Sequence, residues 1–258
     1  SNMQLNSATE KQFQRYFSVY PFSSKGELQY QDFKKDLKAR QKLLANPAYQ
    51  LWLKGEALLE KNKLVAAEPL LLKALKGRPN DGAIMRSLGT LYLRMGKNQT
   101  SYNYFTKAYS HTADFAERET LKDLAATAKF WLYIRQAKEA INKVIEEQRN
   151  QGLVKGSLGA DIELFADQDL YNSLAKLGDE LRFVTITSKA LLRLEAEAGE
   201  AQDSMLEGLK IAVKRSDATK CVRCWHFIDD VGSNPDHPEV CGRCIDNIEG
   251  QGEVRAYA

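Results

Sequence analysis

The sequence predicts a mainly α-helical fold followed by a small α+β unit and a compact four-cysteine module. Small and large apolar residues recur at a spacing of 34 residues between Tyr49 and about Ala113. Beyond about Gln151 the pattern changes to short alternating runs separated by turns, which is typical of strands. All four cysteines of the 258-residue chain lie within the last 38 residues, as two Cys-x-x-Cys pairs.

The composition is that of an ordinary globular protein. Lys and Arg number 37 against 34 Asp and Glu, and 43% of the residues are hydrophobic, which excludes disordered and collagen-like classes. No apolar run is long enough to span a membrane, and the N-terminus lacks the pattern of a signal peptide, so we expect a cytoplasmic protein with no membrane partner. Ser1-Asn2 before Met3 is typical of a cleaved purification tag.

The two halves of the chain differ in charge. Residues 1–135 carry 22 Lys and Arg against 12 Asp and Glu, whereas residues 136–258 carry 15 against 22. A basic half favours acidic partners at long range, but the acidic half could bind nucleic acid only through a local patch. The change of sign indicates two parts with different origins.

The first 48 residues are predicted to hold the tag remnant and two capping helices. Phe13, Tyr16, Phe17 and Tyr20 lie on one helical stripe that ends at Pro21. A second run, with Tyr30, Phe33, Leu37 and Leu44 on one face, ends at Asn46-Pro47.

Residues 49–137 are predicted to form helical hairpins. The 34-residue repeat is carried by pairs of matching size, namely Gly55/Gly89, Leu58/Tyr92, Ala67/Ser101, Leu71/Phe105 and Ala74/Ala108. Pro79 and Asn80-Asp81-Gly82 supply a turn between the first two hairpins.

This pattern resembles the tetratricopeptide repeat family over about 65 residues, with departures at Lys54 and Ala113. A third, less regular hairpin would run from Leu121 to Val144, which extends the repeat-like region to about residues 49–144.

A repeat array of this kind predicts a groove for a peptide or protein ligand. The groove residues would come from the first helix of each hairpin: Tyr49, Trp52, Glu56, Arg86, Thr90 and Arg94. Arg86 and Arg94 would suit an acidic ligand. Alternatively, so short an array is only a packing block with solvated arginines.

Residues 138–218 are predicted to form a small α+β unit. Strands are expected at 161–165, 183–187 and 209–213, with a helix carrying Leu170, Leu174, Leu177 and Leu181 between the first two and a loop at 195–203.

Residues 219–258 are predicted to bind one structural metal ion. Cys221, Cys224, Cys241 and Cys244 have the spacing of a tetrahedral zinc site, and four thiolates leave no open position for catalysis. His226 is a rival ligand, and unligated buried cysteines are the plain alternative.

The same residues resemble the C-terminal zinc-binding domain of bacterial isoleucyl-tRNA synthetase. The resemblance rests on Cys221–His226, Asn234–Glu239 and Cys241–Cys244, and extends upstream through Glu180–Phe183 and Asn142–Glu146 to a start near Lys138. It implies a zinc-binding tail, residues 138–258, that supports aminoacylation of tRNA. Only the four cysteines carry over as ligands.

The synthetase motifs HIGH and KMSKS occur nowhere in this sequence, so it predicts no aminoacylation. A phosphate-binding loop, a Gly-x-Ser-x-Gly elbow and a His-Glu-x-x-His helix are absent too, so an enzyme of another type is the least favoured hypothesis and we expect a protein that is not an enzyme. The chain therefore looks like a non-catalytic fusion or fragment in which a repeat scaffold precedes a synthetase tail. The alternative is that the helical half merely imitates the repeat pattern.

Arg223, Trp225 and Arg243 are candidate RNA contacts of the tail. The two arginines hold equivalent positions in the zinc turns and could meet phosphates, while Trp225 could stack on a base. Alternatively, Trp225 is a lid on the metal site. The alternative for the whole chain is a protein-interaction scaffold in which the zinc module is only structural.

Overall fold

The computed structural model describes residues 35–36, 38–39 and 41–257. The predicted helix at 8–20 and most of the second capping helix lie outside the described residues, although residues 41–44 are helical. Two compact units follow one another, with the division between residues 125 and 126.

The first unit contains two helical hairpins. Their helices are α1 (Pro47–Glu60), α2 (Leu64–Gly77), α3 (Gly82–Arg94) and α4 (Asn98–His111). The side chains of Asn46 and Asp81 cap α1 and α3, each by accepting hydrogen bonds from two backbone N–H groups. Helix-rich hairpins at these positions agree with the predicted fold class, while their membership of the tetratricopeptide family stays a prediction.

The repeated glycines lie where the two helices of each hairpin approach most closely. A Cβ atom on Gly55 would lie 2.5 Å from Leu71 Cδ2, and one on Gly89 would lie 2.6 Å from two ring carbons of Phe105. Leu71 and Phe105 are fully buried, so neither can move aside easily. The 34-residue period in the sequence therefore corresponds to the same contact between helices, made once in each hairpin.

The predicted third hairpin is wrong, because residues 115–150 form one continuous helix, α5 (Phe115–Asn150). The apolar residues from Leu121 to Val144 lie along this single helix. The segment contains neither Gly nor Pro, so nothing in it breaks the helix to make a turn. The departure from the repeat pattern at Ala113 marks the start of this change.

The second unit contains a four-stranded sheet with the spatial order β2-β1-β4-β3. Its strands are β1 (Ala160–Ala166), β2 (Lys189–Leu194), β3 (Gln202–Asp203) and β4 (Leu209–Arg215). β1 pairs in parallel with β2 and antiparallel with β4. In the core of this unit, apolar residues of α5, including Ile141 and Val144, pack in one buried cluster with residues of the sheet. The sheet residues include Ile162, Leu164 and Ile211.

The strands predicted at 161–165 and 209–213 are confirmed, but the strand predicted at 183–187 is wrong. Residues 183–185 lie instead in the short helix α7 (Leu181–Thr185), which follows α6 (Gln168–Leu174) and a 3-10 stretch (Ala175–Glu180). α7 ends at Ile186, which has a left-handed backbone with φ of 59°. Strand β2 begins three residues later, so the strand is displaced along the chain.

The last element group is the cysteine module, which has a two-stranded ribbon of β5 (Thr219–Lys220) and β6 (Phe227–Ile228) and the helix α8 (Gly242–Glu249). Among the described residues, no helix is both long enough and apolar enough to cross a membrane.

Candidate metal centre and neighbouring surfaces

Two turns bring the four cysteines together. Cys221 follows β5, and the N–H of Trp225 donates to its carbonyl oxygen, which closes the first turn around Cys224. Cys241 immediately precedes α8 and Cys244 lies in its first turn, with the Cys244 N–H donating to the Cys241 carbonyl oxygen. Both Cys-x-x-Cys pairs are thus held by short local hydrogen bonds.

The four Sγ atoms all lie within 4.8 Å of one another. The Sγ atoms of Cys224 and Cys241 are 3.8 Å apart. A tetrahedral ion with Zn–S bonds of about 2.3 Å has sulfur atoms about 3.8 Å apart, so this separation fits zinc. Cys221, Cys241 and Cys244 are at most 1% exposed.

The chemistry of the donors also fits a cation. Burial raises the pKa of Cys241 to about 12, and it also raises the pKa of Cys244. Burial acts against ionisation of Cys221 too, yet N–H groups of Cys224, Cys241 and Arg223 lower the pKa of its thiol to about 6. Four thiolates this close repel one another, and a divalent cation among them compensates that repulsion. The site fits one structural zinc ion.

His226 does not belong to the four-sulfur cluster. Its Nδ1 lies 3.1 Å from the carbonyl oxygen of Cys224, and its ring meets the edge of Phe183 with the centroids 5.8 Å apart. Burial, followed by the nearby charge of Arg243, lowers the pKa of His226. The imidazole packs beside the metal turn.

Trp225 is an exposed side chain on the first metal turn. It is 59% exposed, and its backbone φ of 68° is unusual for a residue with a side chain. The Nζ atom of Lys220 lies 4.5 Å from the centroid of the indole, and Arg223 is exposed on the same turn. We call Lys220, Arg223 and Trp225 the knuckle patch.

Arg243 occupies the matching position of the second turn but has different surroundings. Its guanidinium lies 2.8 Å from a carboxylate oxygen of Glu253 and 4.8 Å from the centroid of Phe183. Arg182 and Arg255 also stack on that ring, at 4.3 and 4.1 Å. No local sequence pattern predicts this cluster, because its members are separated by up to 73 positions in the chain.

The predicted groove residues make several contacts within the first unit. Trp52 Nε1 donates to Ser87 Oγ at 2.8 Å, and the Trp52 ring lies 5.1 Å from that of Tyr49. Arg94 donates to the carbonyl oxygen of Leu59 at 2.7 Å. Arg86 lies 3.5 Å from a carboxylate oxygen of Glu117.

Two further groove residues, Glu56 and Thr90, are half-buried. The guanidinium of Arg78 lies over the Tyr49 ring at 5.8 Å, a neighbour that the repeat pattern did not identify. No ligand role of these residues follows from their contacts alone.

Comparison with known proteins supports the interpretation of the cysteine module. Residues 219–247 match a family described as "Zinc finger found in FPG and IleRS". An isoleucine–tRNA ligase of Alcanivorax borkumensis is 55% identical over 130 residues, which is 50% of this chain and 14% of the ligase. One from Teredinibacter turnerae is 48% identical over 141 residues, or 54% of this chain and 15% of the ligase.

The similarity extends further upstream than the predicted start near Lys138. An isoleucine–tRNA ligase of Vibrio cholerae is 43% identical over 164 residues, which is 63% of this chain and 17% of the ligase. Even a match ending at the last residue would begin at or before about residue 96. The chain thus spans only about a sixth of the relatives that it matches, and the similarity includes some helical residues assigned above to hairpins.

Proposed function

We propose that the second unit is a zinc-stabilised tail that contacts tRNA, as the similarity to isoleucine–tRNA ligases suggests. The observation that carries the proposal is the knuckle patch, an exposed indole held on a metal turn beside the Lys220 ammonium group, with Arg223 exposed on the same turn. An indole exposed to this extent presents a flat apolar face on which a nucleobase can stack.

Each member of the knuckle patch has a role in this proposal. Trp225 stacks on a base of the RNA, while Lys220 and Arg223 neutralise adjacent phosphates. The four thiolates hold the turn rigid through the zinc ion. Little conformational entropy of the turn is therefore lost when the indole binds RNA. Arg243 would have to exchange Glu253 for a phosphate, which makes it the weakest of the predicted contacts.

We further propose that the chain itself is non-catalytic. Neither HIGH nor KMSKS is present in its 258 residues, and four thiolate ligands leave zinc no open position for a substrate. In this interpretation the tail supports a reaction whose catalytic residues lie elsewhere, whether the chain is a fragment or a fusion. ATP–pyrophosphate exchange with isoleucine should stay at the level of a control without protein.

A second candidate function concerns the first unit, which would act as a protein-interaction scaffold. It is favoured by the repeated hairpin packing at Gly55 and Gly89, which sets α1 against α2 and α3 against α4 through equivalent contacts. If this were the whole function, the zinc module would be purely structural. Retention of acidic peptides by the full chain, and its loss in Arg86→Ala, would support this role.

The tRNA proposal is tested by filter binding of isoleucine tRNA to the full chain. Loss of base stacking costs about 1 to 3 kcal/mol, so Trp225→Ala should weaken binding about 5- to 150-fold. Phe115→Ala is the matched control, because Phe115 is also an exposed aromatic residue but lies in α5. Equal binding by both variants, with zinc content unchanged, would contradict the proposal.

A further inference from the structure

A cavity of about 440 Å³ lies beside the sheet of the second unit, outside the metal cluster. Asp161, Lys189 and Lys214 line it from the three adjacent strands β1, β2 and β4, while Arg182 comes from α7 and Phe227 from β6. Cavities of about 300 to 1,000 Å³ are the size of small-ligand sites.

Two polar atoms in the lining have no hydrogen-bond partner among the described residues. They are Oδ1 of Asp161, an acceptor, and Nη1 of Arg182, a donor, and both are buried. Buried polar groups in native proteins normally have partners, and leaving one unpaired is unfavourable. Burial removes water from both charged groups, so it raises the pKa of the Asp161 carboxyl, against a hydrogen bond with Ser216, and lowers the pKa of Arg182.

The balance of charge in the cavity lining restricts which chemical class of ligand can bind there. Three cationic side chains, those of Arg182, Lys189 and Lys214, are matched by three carboxylates, those of Asp161, Asp217 and Asp229. In the β-sheet register Asp161 lies directly opposite both lysines. A bare phosphate would be repelled by the carboxylates, whereas a flat neutral group with both donors and acceptors on its edge suits such a lining.

An unstacked nucleobase has these properties. Guanine presents N–H donors on one edge, which can meet a carboxylate, and O6 and N7 acceptors on another, which are the usual partners of arginine. Single-stranded RNA is recognised through bases that are splayed out and contacted on their edges and faces. Phe227 supplies an aromatic surface in the same lining.

The β5–β6 ribbon contributes residues both to the cavity lining and to the knuckle patch. Phe227 is the cross-strand partner of Lys220, and Lys220 in turn lies over the Trp225 ring. An RNA strand stacked on the indole would therefore contact the ribbon whose other strand lines the cavity.

From the two unpaired atoms, the balanced charge and this shared ribbon, we propose that the cavity is a binding pocket for a single guanine base of RNA. Asp161 accepts from the Watson–Crick edge and Arg182 donates to O6 or N7. This inference rests on the proposed tRNA contact, and it adds a base-reading subsite on the sheet.

The pocket can be tested separately from tRNA binding by saturation-transfer NMR with the full chain and guanosine 5′-monophosphate. We expect saturation to reach the guanine H8 proton, and we expect none with ribose 5-phosphate. Asp161→Ala should abolish the transfer. Glu163→Ala is the matched control, because Glu163 lies two residues along the same strand but outside the lining, and it should leave the transfer unchanged. Zinc content and circular dichroism verify that each variant is folded.

Three results of the NMR experiment would overturn the pocket: no transfer to guanine, equal transfer to ribose 5-phosphate, or transfer that persists in a folded Asp161→Ala variant. A parallel filter-binding measurement separates the two proposals. Asp161→Ala should weaken binding of isoleucine tRNA about fivefold or more. If Trp225→Ala weakens that binding and Asp161→Ala does not, the pocket is refuted and the tRNA contact stands. If guanosine monophosphate binds as expected but tRNA does not, the tRNA contact is refuted instead.

Discussion

Substitution of Gly89 by alanine should destabilise the first unit, although alanine is the better helix former. Gly89 lies inside α3, and its added Cβ would lie 2.6 Å from Cδ1 and Cε1 of Phe105. Carbon atoms in contact are normally about 3.5 to 4.0 Å apart, so the ring or the helix would have to move by about 1 Å. Phe105 is fully buried, which blocks an easy rearrangement.

The magnitude follows from two opposing contributions. Replacing glycine by alanine in a helix interior gains about 1 kcal/mol, while overpacking a dense core costs about 1 to 3 kcal/mol. We expect a net loss of about 1 kcal/mol, which lowers the melting temperature by roughly 4 °C for a unit of this size.

Thermal unfolding monitored by Trp52 fluorescence would measure this, in a background where Trp131 and Trp225 are replaced by phenylalanine. Gly156→Ala serves as the control, because a Cβ there meets nothing within 4 Å and the backbone is extended. Adding Phe105→Leu should recover part of the loss from Gly89→Ala. A Gly89→Ala variant more stable than the parent would refute the close packing on which the repeat interpretation depends.

Two further predictions concern the second unit. Removing zinc with a strong chelator should change the emission of Trp225, in a variant with Trp52 and Trp131 replaced by phenylalanine, while far-UV circular dichroism keeps most of its helical signal; concerted loss of both signals would mean that the two units unfold as one. Asp161→Asn should raise the melting temperature at pH 7. Burial makes the charged form of Asp161 unfavourable in the folded protein and so raises its pKa. The free energy of unfolding therefore falls as pH rises through that folded-state pKa, and an uncharged Asn should be the more stable residue at pH 7. An unchanged or lower melting temperature would contradict this.

Local features of the fold could be predicted from the sequence where residues of one kind recur at a regular spacing. The period linking Gly55 to Gly89 reappears as helix packing, and the spacing of the four cysteines reappears as a sulfur cluster. Strand β1 was predictable because its apolar residues alternate and its ends are marked by turns.

Other features depend on contacts that sequence spacing does not reveal. Residues 183–187 have the β-branched composition of a strand, yet residues 183–185 complete the helix α7, in which Thr185 donates to the carbonyl oxygen of Leu181, and Ile186 ends it. Tertiary packing overrides strand propensity there. The arginines around Phe183 and the unpaired groups of Asp161 and Arg182 come together only in the fold, so no linear motif marks them.

The most direct test of the account is the metal content of the protein purified without added metal. We predict about one zinc ion per chain by elemental analysis, held by Cys221, Cys224, Cys241 and Cys244, because four thiolates at this separation form a closed tetrahedral site. Cys241→Ser should reduce the zinc content well below one equivalent and destabilise the tail. Metal-free protein with a well-folded tail, or full zinc retention by Cys241→Ser, would contradict the account.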